Sequence, residues 1–287
     1  MGLLPKFTTP AVPTSAEIRN NIAGMFDRTA EAYEATGVEF FSIFAENLVA
    51  DADLQPGEKV LDVGCGSGVI TRRAATTVGE TGSVFGIDLS SEMVARTKKE
   101  LAGAGISNAE VAVMDAQEPN FGDRTFDVAL SSCVLFFLPE PVVGLKAWHK
   151  AIKPGGRLAV TTFGLRDERW SDVEKVFEPY IPKPVLWTMA LAAKPFATDE
   201  SVAELLVEAG FTDVRSQIRA HDITFDSPDQ WMQWSMSQGQ RFFWELVPEK
   251  SLPEVQRKTR GFVAKLIESD GKIHLTQVVR YTIAQRP

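Results

Sequence analysis

The sequence is poor in the residues that build disulfide frameworks and metal sites. Only two cysteines occur in 287 residues, Cys65 and Cys133, far apart and at no zinc-binding spacing. Neither a disulfide scaffold nor a metal site is expected, and a reducing, cytoplasmic setting is the simplest home. Three histidines leave little choice of general base. Positive charge is in deficit as well: 30 Lys and Arg against 38 Asp and Glu give a formal net charge of −8 and a pI near 5.1. A chain of this sign lacks the field that holds nucleic acid, so no nucleic-acid partner is expected. Its one dense basic run, Arg257, Lys258 and Arg260, reads as the wet face of a helix. No run of about 18 uncharged apolar residues is present, and no transmembrane segment is expected. The opening MGLLPKFTTPAVP, with one Lys, an interrupted apolar stretch and early prolines, does not read as a secretory signal.

What is present is the composition of a globular chain, 44% hydrophobic and 24% charged, long enough for a sizeable core. A homo-oligomer is compatible with it. The first 14 residues read as an arm. From 15 to about 50 apolar residues recur at helical spacing: Ile18, Ile22, Met25 and Phe26, then Phe40, Phe41, Phe44 and Leu48. Short apolar runs then alternate with amphipathic helices. Strands are expected at 59–63, 83–89, 110–114, 126–131, 157–163, 214–218 and 274–283. Ser90 and Thr198 stand where helix N-caps belong. Strand–helix–strand repetition with buried strands implies a mostly parallel sheet covered on both faces, with ligands at the carboxyl ends of the strands. Two segments interrupt the repeat, 164–197 and 220–271, and they hold five of the six tryptophans. The expected organisation is an arm and helical N-terminal cap over 1–50, an α/β core over 51–219 with a helical excursion at 164–197, a helical insertion over 220–271, and a final core strand over 272–287.

The most informative string is VLDVGCGSG at 60–68. A buried strand runs into a glycine loop, and a helix follows. Gly64, Gly66 and Gly68 allow the backbone to turn tightly and approach a ligand, and the helix N-terminus offers free N–H groups. The spacing is GxGxG; the dinucleotide fingerprint wants GxGxxG, and Val69 stands at its last place. Asp62 before the first glycine suits a positively charged or zwitterionic ligand better than a pyrophosphate. Asp88 ends the second strand, where an acid can accept from a ribose diol. Asp115 ends the third, where one can accept from an adenine amino group. Each acid taken alone could instead cap the helix or turn that follows it.

With GIDLS (86–90), MDA (114–116), FDVALSS (126–132) and KPGG (153–156) in the same order, residues 25–220 resemble the class I S-adenosylmethionine (SAM)-dependent methyltransferases. Within that class the chain is similar to the small-molecule branch, the quinone-biosynthesis and bacterial natural-product methyltransferases. The resemblance implies a Rossmann-like α/β fold: a seven-stranded, mostly parallel sheet with an antiparallel last strand, helices on both faces, a helical N-terminal cap and a helical insertion before the last strand. It implies SAM as cofactor. Gly64, Cys65, Gly66 and Gly68 would face the methionine part, with Asp62 holding its ammonium. Asp88 would bind the ribose. Leu89 and Met93 would pack around the adenosine, and Asp115 with the N–H of Ala116 would take the adenine edge. Ser132 and Cys133 would lie beside the methionine moiety, and Tyr33 over its carboxylate.

Methyl transfer from SAM needs alignment and exclusion of water more than it needs a covalent intermediate. Where a base is wanted, His221 is the candidate histidine; His149 and His274 read as structural. Glu31, Glu34 and Glu39 are carboxylate candidates in the cap. Family members often carry His after strand four, whereas Phe136 and Phe137 stand here. Phe136, Trp231, Trp234 and Phe242 are the expected lining of an apolar pocket for a hydrophobic small-molecule acceptor (quinone-like, aromatic or terpenoid), with C- or O-methylation. The insertion aromatics could equally be core packing. Two alternatives stand beside transfer: a SAM-binding, non-transferring or cyclase-like protein of the same fold, and an NAD-dependent oxidoreductase.

Overall fold

The computed structural model describes residues 14–287; the expected arm lies, up to residue 13, outside the described residues. Thr14 opens helix α1 (Ser15–Thr29) with a capping box: its hydroxyl accepts from the Glu17 N–H at 3.2 Å, and the Glu17 carboxylate accepts from the Thr14 N–H at 2.7 Å. An irregular link then leads to α2 (Phe41–Asp51), so the helical pattern over 15–50 is two helices with a break between them.

The repeat that follows is β1 (Lys59–Val63), α3 (Val69–Val78), β2 (Ser83–Asp88), α4 (Ser91–Gly103), β3 (Ala109–Val113), β4 (Phe126–Ser132), α5 (Pro141–Ala151) and β5 (Ile152–Arg166). The excursion carries α6 (Glu168–Glu174) and α7 (Lys183–Ala193), and α8 (Asp199–Glu208) returns to the core. β6 (Thr212–Phe225) precedes the insertion, whose helices are α9 (Pro228–Met236), α10 (Arg241–Glu245) and α11 (Leu252–Val263), and β7 (Ile273–Gln285) closes the sheet. Ser90 caps α4 by accepting from the Met93 N–H at 3.1 Å, and Thr198 caps α8 by accepting from the Ser201 N–H at 3.1 Å.

All seven strands form one sheet in the order β3-β2-β1-β4-β5-β7-β6. β7 runs antiparallel to both neighbours and the other core pairings are parallel, which is the expected Rossmann-like α/β fold. Alternation along β1 explains the two covered faces. Val60 packs with Phe44 and Leu48 of α2 and Ile70 and Ala74 of α3. Leu61 and Val63 face the other way, toward Leu145 and Trp148 of α5 and Val202 and Leu206 of α8. Strand order reverses between β1 and β4, so the crevice for a ligand opens there.

β5 and β6 run well beyond the expected strands, and β7 by three residues. β6 continues to Phe225, paired with β7 as far as Phe225↔Ile273, so the insertion leaves the sheet after 225 and not at 220. His-Asp-Ile-Thr-Phe at 221–225 alternates inward and outward, with Ile223 and Phe225 fully buried, which is a strand pattern. β5 takes in KPGG through a register shift opposite Phe126 and Val128, with Gly155 at φ 79°, and runs on to Arg166. Among the described residues no helix is long and apolar enough to cross a membrane. Arg257, Lys258 and Arg260 are exposed on α11, where Lys258 pairs with Glu254 at 2.7 Å and Arg260 with Asp229 at 2.6 Å.

Candidate functional site

The loop from β1 into α3 turns on three left-handed glycines, Gly64 (φ 71°), Gly66 (φ 48°) and Gly68 (φ 80°). Two of them are closed in: a Cβ on Gly64 would overlap Val134, and one on Gly68 would overlap Thr97. A Cβ on Gly66 would meet nothing within 4 Å, so the middle of the loop faces open space. The loop is tied to β2 by the N–H groups of Gly64 and Cys65, which donate to the Ile87 carbonyl at 2.8 and 2.9 Å. Thr97 donates to the Gly66 carbonyl at 2.6 Å.

The carboxylates sit where the three strands end. Asp62 is 1% exposed on β1, against α3. Its Oδ2 accepts from the Thr71 hydroxyl at 2.6 Å, while Oδ1 is buried with no hydrogen-bond partner. Burial pushes this carboxyl up to about 7. Asp88 accepts from the Gly66 N–H through Oδ2 at 2.8 Å and from the Ser90 N–H through Oδ1 at 2.9 Å; burial raises it too. Each Asp88 oxygen keeps a lone pair for a further donor. Leu89 is half-buried beside it and Met93 is 1% exposed. Asp115 accepts from the Gln117 N–H at 2.8 Å, and its other oxygen faces Arg19 of α1 at 3.1 Å. The Ala116 carbonyl accepts from the Trp148 indole at 2.7 Å, which fixes the backbone there.

At the end of β4, the Ser132 and Thr161 hydroxyls are 2.8 Å apart, and Thr161 Oγ1 accepts from the Cys133 N–H at 3.0 Å. Cys133 itself has φ 59°, an uncommon conformation for a residue with a side chain. Burial pushes its thiol up to about 11 and raises that of Cys65 as well, so neither is a thiolate at neutral pH.

A strap from α1 and the 30–40 link crosses this edge. Asp27 accepts from the Ser90 hydroxyl at 2.6 Å and the Glu92 N–H at 3.1 Å. Arg96 donates to the carbonyls of Ala30 at 2.5 Å and Tyr33 at 2.6 Å. Glu34, with φ 57°, accepts from the Ser67 hydroxyl inside the glycine loop, and burial raises its carboxyl. The Tyr33 ring stacks on Phe41 with centroids 5.1 Å apart, and burial, then Glu34, Cys133 and Asp88, push its phenol up. Arg19 and Asp27 carry no sequence signal, because partners this distant in sequence are set by the fold.

The histidines stand elsewhere. His221 is on β6, three strand places from β4, or about 14 Å at ordinary strand spacing. There its Nε2 meets the Tyr281 hydroxyl at 2.9 Å and its ring packs on Phe44 at 5.3 Å. Burial, then Arg219, lower its pKa. This placement does not support the role of base that the sequence reading gives it. His149 packs on Phe211 at 4.9 Å on α5, and His274 lies between Asp222 at 2.7 Å and Asp270 at 3.0 Å.

The aromatic residues divide. Phe136 stacks on Phe163 at 5.1 Å and touches Phe137 at 4.9 Å; Phe137 meets Phe26 of α1 edge-on at 5.4 Å. This cluster gathers at the end of β4, and Phe163 and Phe26 are members that sequence alone did not single out. Trp234 is 4% exposed between Phe40 at 5.0 Å, Phe225 at 5.3 Å and Trp170 at 5.5 Å. Trp231, 1% exposed, packs on Trp234 at 6.3 Å. Both are buried core residues that join the insertion to α2, α6 and β6. Phe242 is half-buried on α10, against Phe243 at 5.7 Å, and is not part of the β4 cluster.

A mostly parallel sheet with this strand order, a GxGxG loop and acids closing three successive strands defines the class I methyltransferase architecture. The methyltransferase domain family matches residues 54–223. Nocamycin O-methyltransferase of Saccharothrix syringae is 33% identical over 271 residues, covering 90% of this chain and 95% of that protein. Aklanonic acid methyltransferase DauC of Streptomyces sp. (strain C5) is 35% identical over 168 residues, 58% of this chain and 76% of that one. The ubiquinone/menaquinone biosynthesis C-methyltransferase UbiE of Burkholderia multivorans is 28% identical over 192 residues, 66% and 76%. Among solved structures, phosphoethanolamine N-methyltransferase 2 of Haemonchus contortus in complex with SAM superposes with a TM-score of 0.60 at 18% identity, over 97% of this chain and 61% of that one. The [4+2]-cyclase SpnF does so with 0.59 at 19%, over 96% and 98%. The chain belongs to the methyltransferase domain family and is a SAM-dependent methyltransferase.

Proposed function

We propose that this enzyme methylates an acidic oxygen (an enol, a phenol or a carboxylic acid) on a hydrophobic natural-product-like small molecule. The observation that carries the reading is the site's polarity. Its acids and glycines face one side of the crevice, and on the acceptor side Phe26, Phe136, Phe137 and Phe163 gather around the end of β4, none of them in ring contact with a histidine among the described residues. A carboxylic acid or an enol flanked by carbonyls is ionised at neutral pH and needs no enzyme base. A phenol, which ionises at about 10, is the class that would lean on solvent for its proton.

The residues fit the cofactor of the family. The open space at Gly66 and the unpartnered Oδ1 of Asp62 are places for the backbone and ammonium of a methionine moiety. Asp62, Gly64, Cys65, Gly66, Gly68, Ser132, Cys133 and Tyr33 would hold that part, and Asp88, Leu89, Met93, Asp115 and Ala116 the adenosine. When bound, SAM supplies an electrophilic methyl group on a sulfonium leaving group. The chain's own work is to orient the acceptor, keep water out with the aromatic cluster and close the crevice with the strap. Buried, protonated Cys65 and Cys133 act as small apolar filler.

The coverage of the relatives supports oxygen over carbon. The match to an O-methyltransferase spans 90% of the chain and so takes in the insertion, whereas the match to the quinone C-methyltransferase spans 66%. Isotope-labelled SAM with a panel of hydrophobic phenols, enols and acids tests this. Label in a methyl ether or ester is expected; label on a ring carbon would favour the quinone-type reaction instead.

A further inference from the structure

Gln238, in the turn between α9 and α10, is 7% exposed. That turn is wedged against two elements that border the end of β4. Gly239 lies under Phe137, whose ring would stand 3.5 Å from a Cβ there. Arg241 reaches the Arg28 carbonyl at the end of α1 at 3.4 Å, and Glu245 takes the Arg28 guanidinium at 2.6 Å. The carboxamide is oriented, since its Oε1 accepts from the Gln240 N–H at 3.2 Å and the reversed amide would set donor against donor. Its NH2 is thus the end left over, and Nε2 is buried with no hydrogen-bond partner. Leaving a buried donor unmade costs more than a typical hydrogen bond contributes, and native proteins keep few such groups.

We infer that Gln238 is a specificity-determining residue whose Nε2–H donates to a carbonyl oxygen of the methyl acceptor, beside the oxygen that is methylated. The inference rests on the acceptor reading above. A neutral amide donor suits a carbonyl, because it adds direction to an otherwise aromatic surface without burying a charge. It would select a hydroxy-carbonyl compound over the same ring system lacking the carbonyl. An ordered water could fill the same role toward Nε2, and the test separates the two.

Two probes, 1-hydroxyanthraquinone and 1-hydroxyanthracene, differ by the carbonyl groups. Their binding is followed by quenching of tryptophan fluorescence in the presence of S-adenosylhomocysteine, in the wild-type protein, Gln238→Glu and Gln238→Met. Gln238→Glu keeps an oxygen for the Gln240 N–H and removes the NH2; thermal unfolding reports that each variant is folded. The wild type is expected to bind the quinone roughly tenfold more tightly than the hydrocarbon. Both variants should lose that preference with affinity for the hydrocarbon unchanged. A wild type without preference, a preference that survives in both folded variants, or variants that do not fold would overturn the inference and leave the acceptor reading standing. Failure of both probes to bind the wild type would overturn the acceptor reading itself.

Discussion

The Asp88 carboxylate accepts a hydrogen bond from the backbone N–H of Gly66 at 2.8 Å, so the acid that ends β2 also holds the glycine loop of β1 in its left-handed turn. Asp88→Ala would remove the proposed ribose contact and a loop support together. SAM affinity should fall roughly 10- to 100-fold, the scale of hydrogen bonds to a charged group. Calorimetric titration checks it, and an unchanged affinity would contradict the place given to Asp88.

Asp62 makes the ligand-free protein sensitive to pH. In the unfolded chain its carboxyl ionises near 3.9, whereas in the folded protein burial holds it at about 7. Between those values the unfolded state gives up a proton that the folded state keeps. Stability therefore falls as pH rises through this window, by up to roughly 4 kcal/mol. Asp62→Asn should remove that part of the slope. Urea unfolding of both proteins at several pH values from 4 to 8 reads the difference, and parallel curves would show that Asp62 is not a buried, protonated acid.

Asp27 ties the N-terminal strap to the first turn of α4 through the Ser90 hydroxyl and the Glu92 N–H. Asp27→Ala should cost about 1–2 kcal/mol, a fall in Tm of a few degrees. Susceptibility of the 30–40 link to limited proteolysis should rise with it. If neither changes, the strap is not held there.

Trp234 is a core residue among Phe40, Trp170 and Phe225. Trp234→Ala should destabilise the protein by about 3–5 kcal/mol, and Trp234→Phe by much less. A Trp234→Ala protein of wild-type stability with an altered acceptor KM would restore this indole to the pocket lining.

His221→Asn should leave turnover within about threefold of wild type, because a general base contributes roughly 10²–10⁴-fold and the His221 Nε2 is engaged by the Tyr281 hydroxyl at 2.9 Å. A hundredfold loss in kcat, with SAM affinity unchanged, would return it to the reaction.

The fold was legible wherever local pattern and burial agree. Val60 to Gly68 reads as strand, loop and helix from its own residues, and Ser90 and Thr198 announce their helices. The β6 extension through Phe225 was not, because four of its residues, Arg219, His221, Asp222 and Thr224, are polar and a long ribbon with β7 cannot be inferred from one strand alone. The strap was hidden for a different reason. Nothing near Arg19 or Asp27 tells that they meet Asp115 and Ser90. Tryptophans at helical spacing serve a core and a pocket equally well, and only the neighbours of Trp231 and Trp234 decide between them. Gln238 is a polar residue in a turn until its burial and missing partner are seen.

The most direct test is calorimetric titration of the purified protein with SAM and with S-adenosylhomocysteine, with NAD as control. Micromolar binding of both, none of NAD, and loss of affinity in Asp88→Ala are the predicted results. A folded protein that binds neither SAM nor S-adenosylhomocysteine would contradict the account of the glycine loop and its three acids as the cofactor site.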